Sequence, residues 1–227
     1  MKKNLIFDCY QTLIYKKNLE KIVQRFLAEE LHVRMPLKHI RRAFGIIYER
    51  YKFRHPRFAS AQDRRNFYIK YNKELMGILG LEISDNSAAA LNEMFRDSTY
   101  ICYPDVLAVL RFYKNQKKYP LGIIANWTKP LEDILERLKI KSYFNFIYCS
   151  DSLGVEKPNP EIFEKALKNM PSDCEKIFYI GDDYELDVIP ARQAGLTPIL
   201  IDRKNSYPKK VDCVKIKSLK ELKKIIK

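Results

Sequence analysis

The sequence predicts an α/β fold, a doubly wound parallel sheet that carries an inserted, all-helical cap. Three observations predict it. From about residue 103 onward, short apolar runs alternate with stretches of helical periodicity, the rhythm of β–α units. One further apolar run, Leu5-Ile6-Phe7, stands by itself near the N-terminus. Between the two lie about 80 residues patterned as helices, with no convincing strand. The predicted units are therefore 1–14 plus 100–227 for the α/β core and 15–99 for the cap.

Taken in order, Leu5-Ile6-Phe7 reads as the first strand and runs directly into Asp8. Leu19, Ile22, Val23, Phe26, Leu27 and Leu31 recur at steps that line one face of a helix. Ile40, Phe44, Ile47, Tyr48 and Tyr51 repeat the pattern, and the stretch from Phe67 to Leu79 does so less regularly. A helix around Val106–Tyr113 then leads to a strand, Leu121-Gly122-Ile123-Ile124, and Leu131, Ile134, Leu135 and Leu138 mark the next helix. A strand near Phe146–Cys149, a helix from about Pro160 and a strand Ile177–Ile180 follow. A helix around Val188–Ala194, a strand Pro198–Ile201, a short strand near Cys213–Ile216 and a final helix complete the chain. Strands this short and apolar suit a Rossmann-like sheet buried on both faces. Such sheets bind ligands beyond the carboxyl ends of their strands, so the chemistry is sought there.

The bulk properties narrow the function classes. The 227 residues, 46% of them hydrophobic, suffice for a core domain plus a cap and are too apolar for a disordered chain. No apolar run reaches membrane-spanning length. Asp8 cuts the N-terminal apolar stretch that a signal peptide would need. Five scattered cysteines without a C-x-x-C pair suggest reduced thiols, and the expected location is cytoplasmic. No nucleotide-binding glycine loop or G-x-S-x-G motif occurs, and His32, His39 and His55 lack zinc spacing.

The net charge is +14, and residues 41–73 hold ten Lys or Arg against two acidic residues. Such a field favours anionic partners, either a phosphorylated metabolite or nucleic acid. The lysine-rich tail from Lys215 is simply read as a solvated face. Residues 48–58 interleave aromatics with cations, as some nucleic-acid surfaces do. The same aromatics fit a helix packed on its neighbour, and that is the favoured reading. A small anionic metabolite is thus the expected partner, nucleic acid the less favoured one, and no membrane partner is expected. Oligomeric state is left open.

Four successive strand ends carry polar groups. Asp8 follows the first strand, Asn126 the second, Lys157 the third, and Gly181-Asp182-Asp183-Tyr184-Glu185-Leu186-Asp187 the fourth. Each alone has a plain structural explanation. An Asp after a strand is commonly a turn residue. Lys157-Pro158 is followed by Asn159 and Pro160, a sensible helix cap and first turn. Asp182 and Asp183 suit a helix N-terminus.

Together and in this order, they resemble the haloacid dehalogenase superfamily, specifically its members with a helical cap after the first strand. The resemblance covers nearly the whole chain. It rests on Asp8-Cys9-Tyr10-Gln11-Thr12-Leu13, Gly154-Val155-Glu156-Lys157-Pro158 and Gly181-Asp182…Asp187…Ala191…Ala194-Gly195. It implies a hydrolase in which Asp8 is the nucleophile and forms an ester that water then cleaves. It also implies Mg²⁺ held by Asp8, the backbone carbonyl of Tyr10, and Asp182. Lys157 would offset the negative charge and keep Asp8 ionised, and Asp187 would orient Lys157 or a metal-bound water. Asn126 would hold the transferring group, with Trp127 and Thr128 as further candidate substrate contacts, and in a dehalogenase Arg41 or Arg42 of the cap would clamp a substrate carboxylate.

Three positions depart from the family pattern, one of them Gln11, which replaces a common glycine. Family phosphatases place a second Asp two residues after the nucleophile, where this chain has Tyr10. A phenol of pKa about 10 is a weak base at neutral pH. Ala125 stands where the family offers Ser or Thr before the Asn. The expected activity is that of a Mg²⁺-dependent phosphatase of a small phosphorylated or otherwise anionic metabolite. One alternative is a metal-independent 2-haloacid dehalogenase, whose halide leaves without an acid. Another is a catalytically weak or inactive member whose basic cap contacts a polyanion.

Overall fold

The computed structural model describes residues 3–53, 60–96, 99–127, 131–168, 170 and 176–226. Its contacts divide the chain into two units, Met1–Tyr15 with Tyr100–Lys227, and Lys16–Thr99.

The first unit is the α/β core. Its strands are β1 (Lys3–Phe7), β2 (Ile14–Lys16, whose last residue falls in the second unit), β3 (Tyr100–Cys102), β4 (Leu121–Ala125), β5 (Phe146–Cys149), β6 (Lys176–Gly181), β7 (Thr197–Ile201) and β8 (Val214–Ile216). Six of them form one parallel sheet in the order β5-β4-β1-β6-β7-β8. The chain first builds leftward from β1 through β4 and β5, then returns to β6 on the other side of β1. The order therefore reverses between β1 and β6, the place where open α/β sheets bind ligands.

Alternation along β1 explains how the sheet is buried. Leu5 and Phe7 enter one apolar cluster with Leu121, Ile123 and Ile180. Ile6 enters the other, with Ile124, Ile162, Phe163 and Tyr179. Both faces are thus covered, as the near-continuous apolar strands predict. Gly122 interrupts β4 because a Cβ there would lie 1.9 Å from the Phe146 ring on the neighbouring strand.

β2 and β3 pair with each other in a separate two-stranded ribbon. The sequence predicts no strand across this region. Three residues are too few for an alternating pattern to register, and Lys16 breaks what pattern there is.

The second unit holds the helices α1 (Leu19–Glu30), α2 (Leu37–Tyr51), α3 (Ala61–Ile78) and α4 (Asp85–Arg96). Val23, Phe26, Leu27, Ile40, Ala43, Ile47, Leu75, Met76, Ala88 and Leu91 form its core. Tyr48, placed on the apolar stripe of α2 by its spacing, is 39% exposed, and Ala43 occupies the buried face instead. The sequence pattern does not single out α4, because that helix buries only Ala88 and Leu91 and shows no wide stripe. Asn72 ties α3 to α4 by donating to the Ala88 carbonyl at 2.9 Å. The aromatic and cationic run of residues 48–58 lies partly outside the described residues, at 54–58. Among the described residues, no helix is long and apolar enough to cross a membrane. Cys9, Cys102, Cys149 and Cys213 carry free thiols, and Cys174 lies outside the described residues.

Candidate active site

β1, β4 and β6 end side by side, and each delivers one of the expected polar groups. Asp8 leaves β1 with its backbone N–H still bonded to the Ile180 carbonyl of β6 at 2.8 Å. Its carboxylate is buried. Lys157 reaches it from the loop after a short helix, Ser150–Leu153, which Gly154 closes in the left-handed region at φ 71°. The ammonium lies 2.7 Å from Asp8 Oδ1 and 2.6 Å from Asp187 Oδ1, with both ion pairs almost fully out of solvent.

The acidic run after β6 divides its labour. Asp183 caps the next turn, its Oδ1 accepting from the N–H groups of Glu185 and Leu186 at 2.9 Å. Asp182 belongs instead to the site, where the Thr12 hydroxyl donates to its Oδ1 at 3.4 Å. A single wide, π-helical turn over Tyr184–Val188 brings Asp187 back toward the strand end. There its Oδ2 accepts the Asp183 N–H at 3.0 Å. The fold leaves no room for a side chain at position 181, because a Cβ on Gly181 would lie 2.3 Å from Asp187 Cγ.

Asp8, Asp182 and Asp187 each offer an oxygen, and these lie within 4.8 Å of one another. Burial pushes the Asp8 carboxyl up to about 6; Asp187 adds to the rise and Lys157 opposes it. Asp182, half-buried but crowded by protein, is pushed well above the usual carboxylate range by that desolvation and then by Asp8, Asp187 and Asp183. Burial opposes the charge on Lys157, yet the carboxylates of Asp187 and Asp8 hold its pKa well above that of an ordinary lysine. With all three carboxylates ionised, the one ammonium leaves two negative charges uncompensated. That is the charge of one divalent cation, and the donors are the hard oxygens such ions prefer. The residues present thus fit Mg²⁺.

The sequence matches the family described as haloacid dehalogenase-like hydrolase over residues 2–195. The chain belongs to the haloacid dehalogenase-like hydrolases. Among its relatives, the haloacid dehalogenase-like hydrolase domain-containing protein 3 of Xenopus laevis is 26% identical over 150 residues, 64% of this chain and 61% of that protein. The glyceraldehyde 3-phosphate phosphatase of Methanopyrus kandleri is 25% identical over 213 residues, 89% of this chain and 85% of that protein. The chain spans about half the length of several curated relatives it matches, at 61%, 44% and 38%. In fold it is similar to the putative HAD-hydrolase YfnB from Bacillus subtilis, with a TM-score of 0.73 at 17% identity, covering 99% of this chain and 98% of that one.

The remaining expected site residues of this hydrolase are placed less uniformly. Asn126 engages the backbone of Lys157. Its Nδ2 donates to the Lys157 carbonyl and its Oδ1 accepts the Lys157 N–H, each at 2.8 Å. Tyr10 packs its ring 6.3 Å from Tyr100 and 6.2 Å from Trp127, which themselves lie 5.6 Å apart, centroid to centroid. Arg41 is in the second unit, largely exposed, with its Nε 3.5 Å from Glu20. Thr128 lies outside the described residues.

Two residues that sequence reasoning passes over support these groups. Arg203 donates twice to the Thr12 carbonyl, at 2.8 and 3.3 Å, and pairs with Asp105 at 3.1 Å. It thereby fixes the loop that follows Asp8. Tyr179, in the middle of β6, places its hydroxyl 3.0 Å from Lys157 Nζ. Neither has a local signal. A tyrosine in an apolar strand reads as core, and an arginine after a strand reads as surface.

Proposed function

We propose that this hydrolase is a Mg²⁺-dependent phosphatase of a small phosphorylated metabolite, with Asp8 as its nucleophile. The observation that carries the reading is the convergence of three carboxylate oxygens within 4.8 Å beside one buried ammonium. In this reading Asp8 and Asp182, with the backbone carbonyl of Tyr10, hold the cation. It would neutralise the incoming phosphate and orient its oxygens.

The chain's own groups supply the rest. Lys157 occupies Oδ1 of Asp8, which leaves Oδ2 to attack phosphorus. Attack forms an Asp8 acyl phosphate and expels the substrate's alkoxide or phenoxide, and water then cleaves the acyl phosphate to regenerate the carboxylate. Asp187 has both oxygens engaged, by Lys157 and by the Asp183 N–H, so its role is to anchor Lys157. Asn126 holds the backbone of Lys157 in place, and any contact with the transferring group uses its second amide hydrogen. The relatives named as glyceraldehyde 3-phosphate phosphatases support a small phosphorylated substrate.

Tyr10 favours a second reading, metal-independent dehalogenation, because a halide needs no proton to leave. A generic aryl phosphate separates the two. Its turnover is expected to require Mg²⁺ and to vanish in Asp8→Asn. Turnover that persists in excess chelator overturns the phosphatase reading, and metal-free halide release from 2-chloropropionate establishes the other.

A further inference from the structure

The proposed chemistry gives no role to the hydroxyl of Tyr179, which lies against Lys157. Tyr179 is completely buried, and its ring meets Phe163 edge-on at 4.7 Å, as an ordinary core residue would. Its hydroxyl does something else. It lies 3.0 Å from Lys157 Nζ, 2.8 Å from the Ile124 carbonyl oxygen and 3.2 Å from Asp187 Oδ1.

Counting protons assigns the directions. An ammonium has three N–H groups and no lone pair. Those of Lys157 meet Asp8 Oδ1 at 2.7 Å, Asp187 Oδ1 at 2.6 Å and Tyr179 Oη at 3.0 Å. A phenol has one proton, and the Ile124 carbonyl takes it over the shorter path. An oxygen lone pair of Tyr179 therefore faces the ammonium. Ile124 lies two residues before Asn126, which in turn holds the Lys157 backbone. The hydroxyl and the carboxamide thus brace the head and the root of the same side chain.

We propose that Tyr179 is a positioning residue, which accepts the third N–H of Lys157 and so fixes the direction in which the ammonium addresses Asp8. Only its expected effect on turnover rests on Asp8 being the nucleophile. Without the oxygen, Lys157 keeps two carboxylate partners, but one buried N–H loses its acceptor and the ammonium turns about its Cε–Nζ bond. The chemical step then suffers, while substrate binding is spared.

Tyr179→Phe keeps the ring contact with Phe163 and removes only the oxygen. With Mg²⁺ saturating and an aryl phosphate as substrate, kcat is expected to fall about tenfold or more while KM stays within about twofold. A kcat within about twofold of wild type overturns the proposal. The second measurement needs no turnover. In protein labelled with ¹⁵N-lysine, the Lys157 ammonium signal, assigned by its loss in Lys157→Met, is expected to exchange slowly in wild type. In Tyr179→Phe it should exchange about tenfold faster or more. Unchanged exchange in the variant, or no protected ammonium signal in wild type, also overturns the proposal. A wild-type protein inert toward aryl phosphates sinks the phosphatase reading, and ammonium exchange still decides the role of Tyr179. Should Tyr179→Phe not fold, Tyr179→Met fills similar space without an oxygen and takes the same two measurements.

Discussion

The carboxamide of Asn126 closes a two-bond ring with the backbone of Lys157, donating to its carbonyl and accepting its N–H, both at 2.8 Å. The end of β4 is thereby locked to a loop 31 residues away, and the lysine enters the site from a fixed root. Asn126→Ala removes both bonds. We expect a loss of about 1–3 kcal/mol in urea unfolding. A displacement of the ammonium of about 1 Å is expected to lower kcat by up to about 100-fold. Steady-state kinetics beside the unfolding curve separate the two effects.

Lys157→Met tests the charge balance. It leaves Asp8 and Asp187 buried without their shared cation. A loss of about 3–5 kcal/mol is expected in metal-free buffer. Added Mg²⁺ should restore part of that stability and none of the turnover, because a cation can replace the lost charge but not the N–H donor that Lys157 directs at Asp8 Oδ1. Thermal melts with and without Mg²⁺ check the first half and aryl phosphate hydrolysis the second.

Gly181→Ala forces a Cβ to within 2.3 Å of Asp187 Cγ. The carboxylate must move, and with it the anchor of Lys157. Overpacking of this kind costs about 1–3 kcal/mol. A crystal structure or a thermal melt of the variant shows whether Asp187 is displaced; an unchanged melt and full activity contradict the account of this glycine.

The raised carboxyls make cation binding depend on pH in a definite direction. Burial holds Asp8 up to about 6, and burial followed by neighbouring carboxylates holds Asp182 well above its usual range. Protons therefore compete with the cation, and affinity rises as pH climbs through about 6. One group titrating near 6 gains about tenfold in its ionised fraction between pH 5 and 7, and Asp182 steepens the rise. The chain has a single tryptophan, Trp127, next to Asn126, so Mg²⁺ titrations followed by its fluorescence offer a direct readout.

The same shifts set the sign for the metal-free protein. Above pH about 4 the folded state retains protons that the unfolded chain has released, so these two groups lower stability as pH rises through about 6. Asp182→Asn should flatten that decline in melts taken at pH 5 and 7.

Tyr10 leaves the expected acid position without a carboxyl and packs against Tyr100 and Trp127. Turnover of substituted aryl phosphates should therefore fall steeply as the leaving phenol becomes more basic. A flat dependence would show that some group protonates the leaving oxygen.

The alternation of strand and helix, the helical insertion and the polar groups that follow β1, β4 and β6 were legible in the sequence; Lys157 comes instead from the loop after the helix that follows β5. Each is a local pattern: periodicity sets the element, and the residue after an apolar run sits at a strand's carboxyl end. What the groups do to one another was not local. By residue type alone Asp182 and Asp183 are alike, and only the family resemblance singled out the first. In the fold Asp183 caps the wide turn that follows, while Asp182 turns to Thr12 and the other clustered carboxylates. Asn126 was expected to hold the transferring group, and its engagement of the Lys157 backbone by Oδ1 and one amide hydrogen carried no local signal. Tyr179 looked like core because its ring is core; only the parallel pairing of β1 with β4 and β6 puts its hydroxyl beside Lys157 and the Ile124 carbonyl. Chain patterning decided which chemical groups reach the site. Tertiary contacts decided their hydrogen-bond partners, because a buried donor takes whichever acceptor the fold brings within about 3 Å, however distant in sequence.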